Sequence, residues 1–141
     1  MVCTFFGHRD APDSISSALK EKIIEMITTI GIKDFYVGNN GNFDFLVQKL
    51  LKEISRSYPF ISFSIVLSRP YEQAISGIQD KTIFPEGLEF SIPRFAISKR
   101  NEWLITHSTH LIAYLTNNCT NCFKWVNKAK SKGLDVVKLE I

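Results

Sequence analysis

The first apolar run of the chain, "VCTFF", stops at Gly7-His8-Arg9, three residues with no packing reason to stand there. A glycine lets backbone and ligand approach closely. Arg9 offers a planar, permanently charged fork suited to phosphate or carboxylate, and His8 can donate, accept or shuttle a proton near neutral pH. A second such stretch is "GNNGNFD", residues 38 to 44. There Gly38, Asn39 and Gly41 suit a tight turn presenting backbone N–H groups to an anion, with Asp44 holding a ribose hydroxyl or an amine. A purely structural account has equal weight: Asn and Gly tolerate left-handed backbone, Asn42 caps a helix and Phe43 joins its buried face. Further on, Pro85-Glu86-Gly87 can aim a carboxylate from a rigid loop, and Arg94, Arg100 and Asn101 sit among apolar residues without a clean amphipathic division. Solvated helix faces are the alternative explanation for those charges. Cys119-Thr120-Asn121-Cys122 is a C-x-x-C at a predicted helix start, a position that lowers a thiol pKa, and His107 and His110 lie shortly before it. A tetrahedral site from these four is disfavoured by the intervening strand, which would hold the pairs about 15 Å apart. No metal and no cofactor are expected.

These residues need elements to position them. Val2 to Phe6 reads as a strand, and Pro12-Asp13-Ser14 as the turn and cap of a helix whose apolar positions recur from Ile15 to Ile30, closed by Gly31. Asp34 to Val37 is a second strand. A second helix buries Phe43, Leu46, Val47, Leu50, Leu51 and Ile54, with Asn42 as its cap, and Ile61 to Leu67 is a largely buried third strand. From Ser68 to Pro93, repeated Pro and Gly break any long period, which predicts a short helix and a long loop. A helix over about 94–106, a strand over His110 to Leu115, a helix over about 121–131, a Gly133 stop and a last strand "DVVKLEI" complete the chain. Strands alternating with helices imply parallel pairing through right-handed crossovers. The expectation is therefore an α/β, Rossmann-like three-layer fold with a mainly parallel central sheet of about five strands, in one domain over residues 1–141. Ligands in such sheets bind beyond the carboxyl ends of the strands. The loops starting at Gly7, Gly38 and Thr116 should share that rim.

Composition narrows the classes. The 141 residues are 45% hydrophobic and 22% charged, the balance of a globular protein. Seventeen Lys and Arg against fourteen Asp and Glu give +3, too little and too dispersed to argue for nucleic acid. No apolar run approaches the roughly 20 residues of a membrane helix, so no membrane partner is expected. Three cysteines and no signal-peptide pattern point to the cytoplasm.

Taken in order, "TFFGHRD", "VGNNGNFD", "FPEGLE", "PRFAISKRNEWLI" and "IAYL" resemble the SLOG superfamily, in particular its small YpsA-like single-domain members, over nearly the whole chain. The resemblance implies a Rossmannoid domain that binds nucleotides or nucleotide-derived ligands. Its relatives include the cytokinin-activating phosphoribohydrolases and the DNA-processing A protein. By matching motif, the pocket would use Gly7, His8, Arg9, Gly38, Gly41, Asp44, Glu86, Arg94, Arg100 and Asn101. Where the phosphoribohydrolases carry G-G-x-G-T-x-x-E, this chain has "NNCTNCFKWVNKAK", with Thr120 and Asn121 at the glycine pair and no glutamate. Phosphoribohydrolase chemistry therefore lacks its acid. The expected function is capture of a nucleotide-derived small molecule by a sensor or sequestering protein of bacterial or phage origin, rather than catalysis. The competing reading is a nucleotide hydrolase with Glu86 as acid or base and His8 as proton shuttle. Single-strand DNA binding ranks third. Small members of the fold often pair through helices, which leaves the oligomeric state open to a homodimer or higher oligomer.

Overall fold

The computed structural model describes residues 1–69, 81–88, 91–116 and 120–139. Strand β1 (Val2–Gly7) is followed by a 3-10 turn over Asp13–Ile15 and by α1 (Ser16–Glu25), whose last turn widens to π geometry over Met26–Ile30 and ends at Gly31. The widening falls on a run rich in β-branched residues, where the Thr28 hydroxyl donates to the Ile24 carbonyl at 2.9 Å and competes with the regular backbone ladder. β2 (Asp34–Val37), α2 (Asn42–Ser57) and β3 (Ser62–Val66) come next, then β4 (Thr82–Ile83). The chain continues through α3 (Pro93–Thr106), β5 (His110–Tyr114), α4 (Thr120–Ser131) and β6 (Asp135–Lys138).

Among the described residues the strands form one sheet of six, in the order β4-β3-β2-β1-β5-β6, with every pair parallel. This exceeds the expected five because β4 lies in the stretch that reads as loop. Two residues are too few to show a period, and β4 exists because Thr82 and Ile83 pair with Ile65 and Val66. A short helix is expected between Ser68 and Pro93, and residues 70–80 and 89–90 of that stretch lie outside the described residues.

Both faces of the sheet are covered, as parallel strands require. Alternation along β1 sends Cys3 and Phe5 into a core shared with α1 and α2, and Phe6 into a second core with Leu104 and Ile105 of α3 and Trp125, Val126 and Ala129 of α4. In β5, Ile112 faces the first core while Leu111 and Ala113 face the second. The result is three layers, with α1 and α2 on one side and α3 and α4 on the other.

Chain order fixes where a ligand can enter. From β1 the strands step outward to β4, and α3 then carries the chain back to β5 on the opposite side of β1. β1 and β5 are thus the strands at which the winding reverses, and a crevice opens beyond their carboxyl ends at such a reversal.

Candidate functional site

A cleft of about 500 Å³ lies at this reversal. β1 contributes Phe6 and Gly7 and the loop residues His8, Arg9 and Asp10, while the β2 end supplies Gly38 and Asn40. Asp44 comes from the first turn of α2, Ile97, Arg100, Asn101 and Leu104 from α3, and Asn121, Cys122, Lys124 and Trp125 from α4.

Close packing of two loops shapes the β1 side. The Asn42 N–H donates to the Arg9 carbonyl at 2.7 Å, and Gly41 leaves no room for a side chain beside the Arg9 backbone. Asn42 is not the helix cap that the sequence suggests. It is the first helical residue, and its side-chain amide donates to the Ala11 carbonyl (2.6 Å) and to Asp13 Oδ1 (3.0 Å), tying the start of α2 to the β1 loop. Gly7 is small because Phe43 covers it: a Cβ there would sit 2.4 Å from the ring, which also stacks on Tyr114. Within this loop His8 Nδ1 accepts the Asp10 N–H at 3.0 Å, so a neutral ring carries its proton on Nε2 and presents a donor there. Arg9 is exposed, and its guanidinium has no ion pair among the described residues.

The cleft floor is organised around Arg100. It lies with Ala96, Leu104 and Ile105 on the buried stripe of α3 and is only 3% exposed. Its Nε and Nη2 donate to Asn101 Oδ1 at 3.3 Å, and Nη1 reaches Asn39 Oδ1 at 3.4 Å and the Val66 carbonyl at 3.5 Å. With the Asn40 amide turned so that its oxygen faces the guanidinium, that oxygen accepts from Nη1 at 2.7 Å and Nη2 at 3.0 Å. Gly38 is where cation and acid meet. A Cβ on it would lie 2.8 Å from both Arg100 Nη1 and Asp44 Oδ2, and the Gln48 amide donates to its carbonyl at 2.8 Å. Asp44 Oδ2 accepts the Asn40 N–H at 3.0 Å. Asp44 is half-buried and lines the cleft, and burial pushes its pKa up against the opposing pull of the Arg100 charge and the Asn40 N–H.

The opposite wall is Trp125, with the Lys124 and Lys128 ammonium groups 5.4 and 5.3 Å from its ring and Phe6 stacked at a tilt 6.4 Å away. Lys124 and Trp125 are cleft residues that sequence motifs miss. Their offsets of three and four from Asn121, which place them on its side of the helix, were the available signal.

Of the residues singled out by sequence, Gly7, His8, Arg9, Gly38, Asp44, Arg100, Asn101 and Asn121 come together on the cleft. Asn39 and Gly41 stand behind it as supports of Arg100 and Arg9. Glu86 is exposed in the turn after β4 and does not line it. Nor does Arg94, whose guanidinium lies 4.8 Å from the centre of the Phe95 ring. Thr120 opens α4, and its side chain lies outside the described residues, as does Cys119. Among the described residues, no three His, Cys, Asp or Glu side chains gather as a metal site, and no helix is long and apolar enough to cross a membrane.

A parallel, three-layer Rossmann-like domain with a cleft at the winding reversal is thus the class of protein defined. Its fold is similar to that of DNA processing protein A (DprA) from Streptococcus pneumoniae, with a TM-score of 0.70 and 11% sequence identity over 96% of this chain and 49% of that one. The chain spans about half the length of that protein, and identity this low establishes likeness of fold alone. No family model matches the sequence. No curated protein matches it either.

Proposed function

We propose that the chain is a small SLOG-type domain that binds a nucleotide or nucleotide-derived molecule in the cleft, as a sensor or sequestering protein. The observation that carries this reading is the meeting, at the winding reversal, of the Arg9 guanidinium, the His8 ring and the Lys124 ammonium with an apolar wall of Ile97, Leu104 and Trp125. The cations suit phosphate and the wall suits a base. Mass spectrometry of small molecules released from the denatured protein, followed by thermal shift with a nucleotide panel, tests it. A charge-assisted bond is worth about 1.5–3 kcal/mol, so Arg9→Ala should weaken the best nucleotide by roughly ten- to a hundredfold. Absence of any co-purifying nucleotide and of any thermal shift would sink the reading. Hydrolysis is less well supported, because Glu86 stands away from the cleft; turnover of the panel that disappears in Glu86→Gln would reinstate it.

A second reading, single-strand DNA binding, is favoured by the surface of the α3–α4 layer together with the DprA-like fold. Arg94, Lys99, Lys124, Lys128, Lys130 and Lys132 stand on it, none buried, against the single acid Glu102. Phe95 and Phe123 are 45% and 40% exposed among them and offer stacking surfaces. Salt-sensitive binding of an oligonucleotide is the expected sign.

A further inference from the structure

We propose that Arg100 is a positioning residue: its buried guanidinium moulds the 38–44 turn so that the Asp44 carboxylate stands on the cleft floor as acceptor for a hydroxyl or amine of the ligand. This rests on the reading of the cleft as a nucleotide site.

Arg100 has the wrong surroundings for a first contact with phosphate. Its donors are spent on Asn101, Asn39, Asn40 and the end of β3, and it exposes 3% of its surface. Those partners come from α3, the β2–α2 turn and β3, three segments far apart in sequence. A planar fork with five donors can bind them at once, whereas a lysine ammonium cannot. The guanidinium and the Asp44 carboxylate both crowd the space that a Gly38 side chain would take, so the shape of the turn and the place of the acid are set together. Asp44 Oδ2 already accepts the Asn40 N–H, and the remaining carboxylate capacity borders the cleft.

Electrostatics gives this arrangement a measurable sign. Among the described residues, the groups acting on Asp44 are Arg100 from α3 and the Asn40 N–H from its own turn, and the titratable or charged residues His8, Arg9, Asp10 and Lys124 line the same cleft. Burial favours the neutral acid and Arg100 favours the carboxylate. Removing the guanidinium charge should therefore carry the Asp44 titration further up.

The test uses Arg100→Met, Arg100→Lys and Asp44→Asn. Carboxyl NMR of the ligand-free protein should show the Asp44 midpoint higher in Arg100→Met than in wild type, with Arg100→Lys returning most of the way because the charge is kept. In Arg100→Lys the Asn40 amide should exchange with solvent at least tenfold faster, because the fork that shapes the turn is gone. With adenosine monophosphate as probe, Asp44→Asn and Arg100→Met should each lose at least tenfold in affinity at neutral pH. An unmoved Asp44 midpoint in Arg100→Met, or, should that variant not fold, unchanged Asn40 exchange in Arg100→Lys, overturns the proposal. So does wild-type probe affinity in Asp44→Asn. If no nucleotide binds the wild type while the midpoint and exchange shifts appear, the nucleotide reading fails and the control of Asp44 by Arg100 stands.

Discussion

The chemistry of the cleft turns on one acid held in an unfavourable place. Asp44 is pushed up from its ordinary pKa of 3.8 mainly by burial. The folded chain therefore holds that proton more tightly than the unfolded chain does. Stability contributed by the protonated form is present at low pH and is lost as pH rises from the ordinary carboxylate value through the raised one. Asp44→Asn cannot titrate, so this part of the pH dependence should vanish in it. Urea denaturation of both proteins across the acidic range reads the difference in slope; identical slopes would show that Asp44 titrates alike in both states. Arg100 shows why residue identity alone misleads. In sequence it is one charge among several in "ISKRNEW", whereas its period with Ala96 and Leu104 puts it on the buried side of α3. A charge on an apolar stripe is the legible clue, since burying it demands partners. The partners themselves, Asn39 and Asn40, are about sixty residues away and leave no local mark.

At the scale of elements, most of the secondary structure can be read from period and breakers. β2 occupies the expected residues, and α3 and α4 each begin one residue before their expected starts. The departures have local causes. β4 is two residues long and owes its existence to β3. Asn42 has the right type for a cap but serves as a strut, because the β1 loop passes close enough for its amide to donate to Ala11 and Asp13. These two roles separate by experiment. Asn42→Ala should cost about 1–2 kcal/mol by chemical denaturation through the lost bonds. Asn42→Asp, which keeps a capping oxygen but has no donor, should recover little of it, and full recovery would restore the capping account.

For the molecule as a whole, charge distribution matters more than net charge. The chain carries only +3, which reads as unremarkable along the sequence. Folding puts α3 and α4 on one face of the sheet, joined by the Lys128–Glu102 bridge of 2.8 Å, and gathers six cations there. If that face meets a DNA strand, the triple change Lys99→Glu, Lys130→Glu, Lys132→Glu should abolish salt-dependent binding of an oligothymidine measured by fluorescence anisotropy. All three lie off the cleft lining, so nucleotide binding should survive the change. Retained oligonucleotide affinity would locate any strand elsewhere.

The amino-acid sequence by itself determined the alternation of strands and helices, the parallel sense of the sheet and the glycine turns at the strand ends. Each of these follows from near neighbours: hydrophobic period, breakers and the length of chain a parallel crossover needs. Only the tertiary structure decided that β5 returns beside β1, so that Arg9 and Lys124 flank one cleft. It also decided that Arg100 lies against Gly38 and Asp44, and that Glu86 and Arg94 stay outside. Strand order and side-chain meeting depend on contacts between distant segments, which a local pattern does not encode.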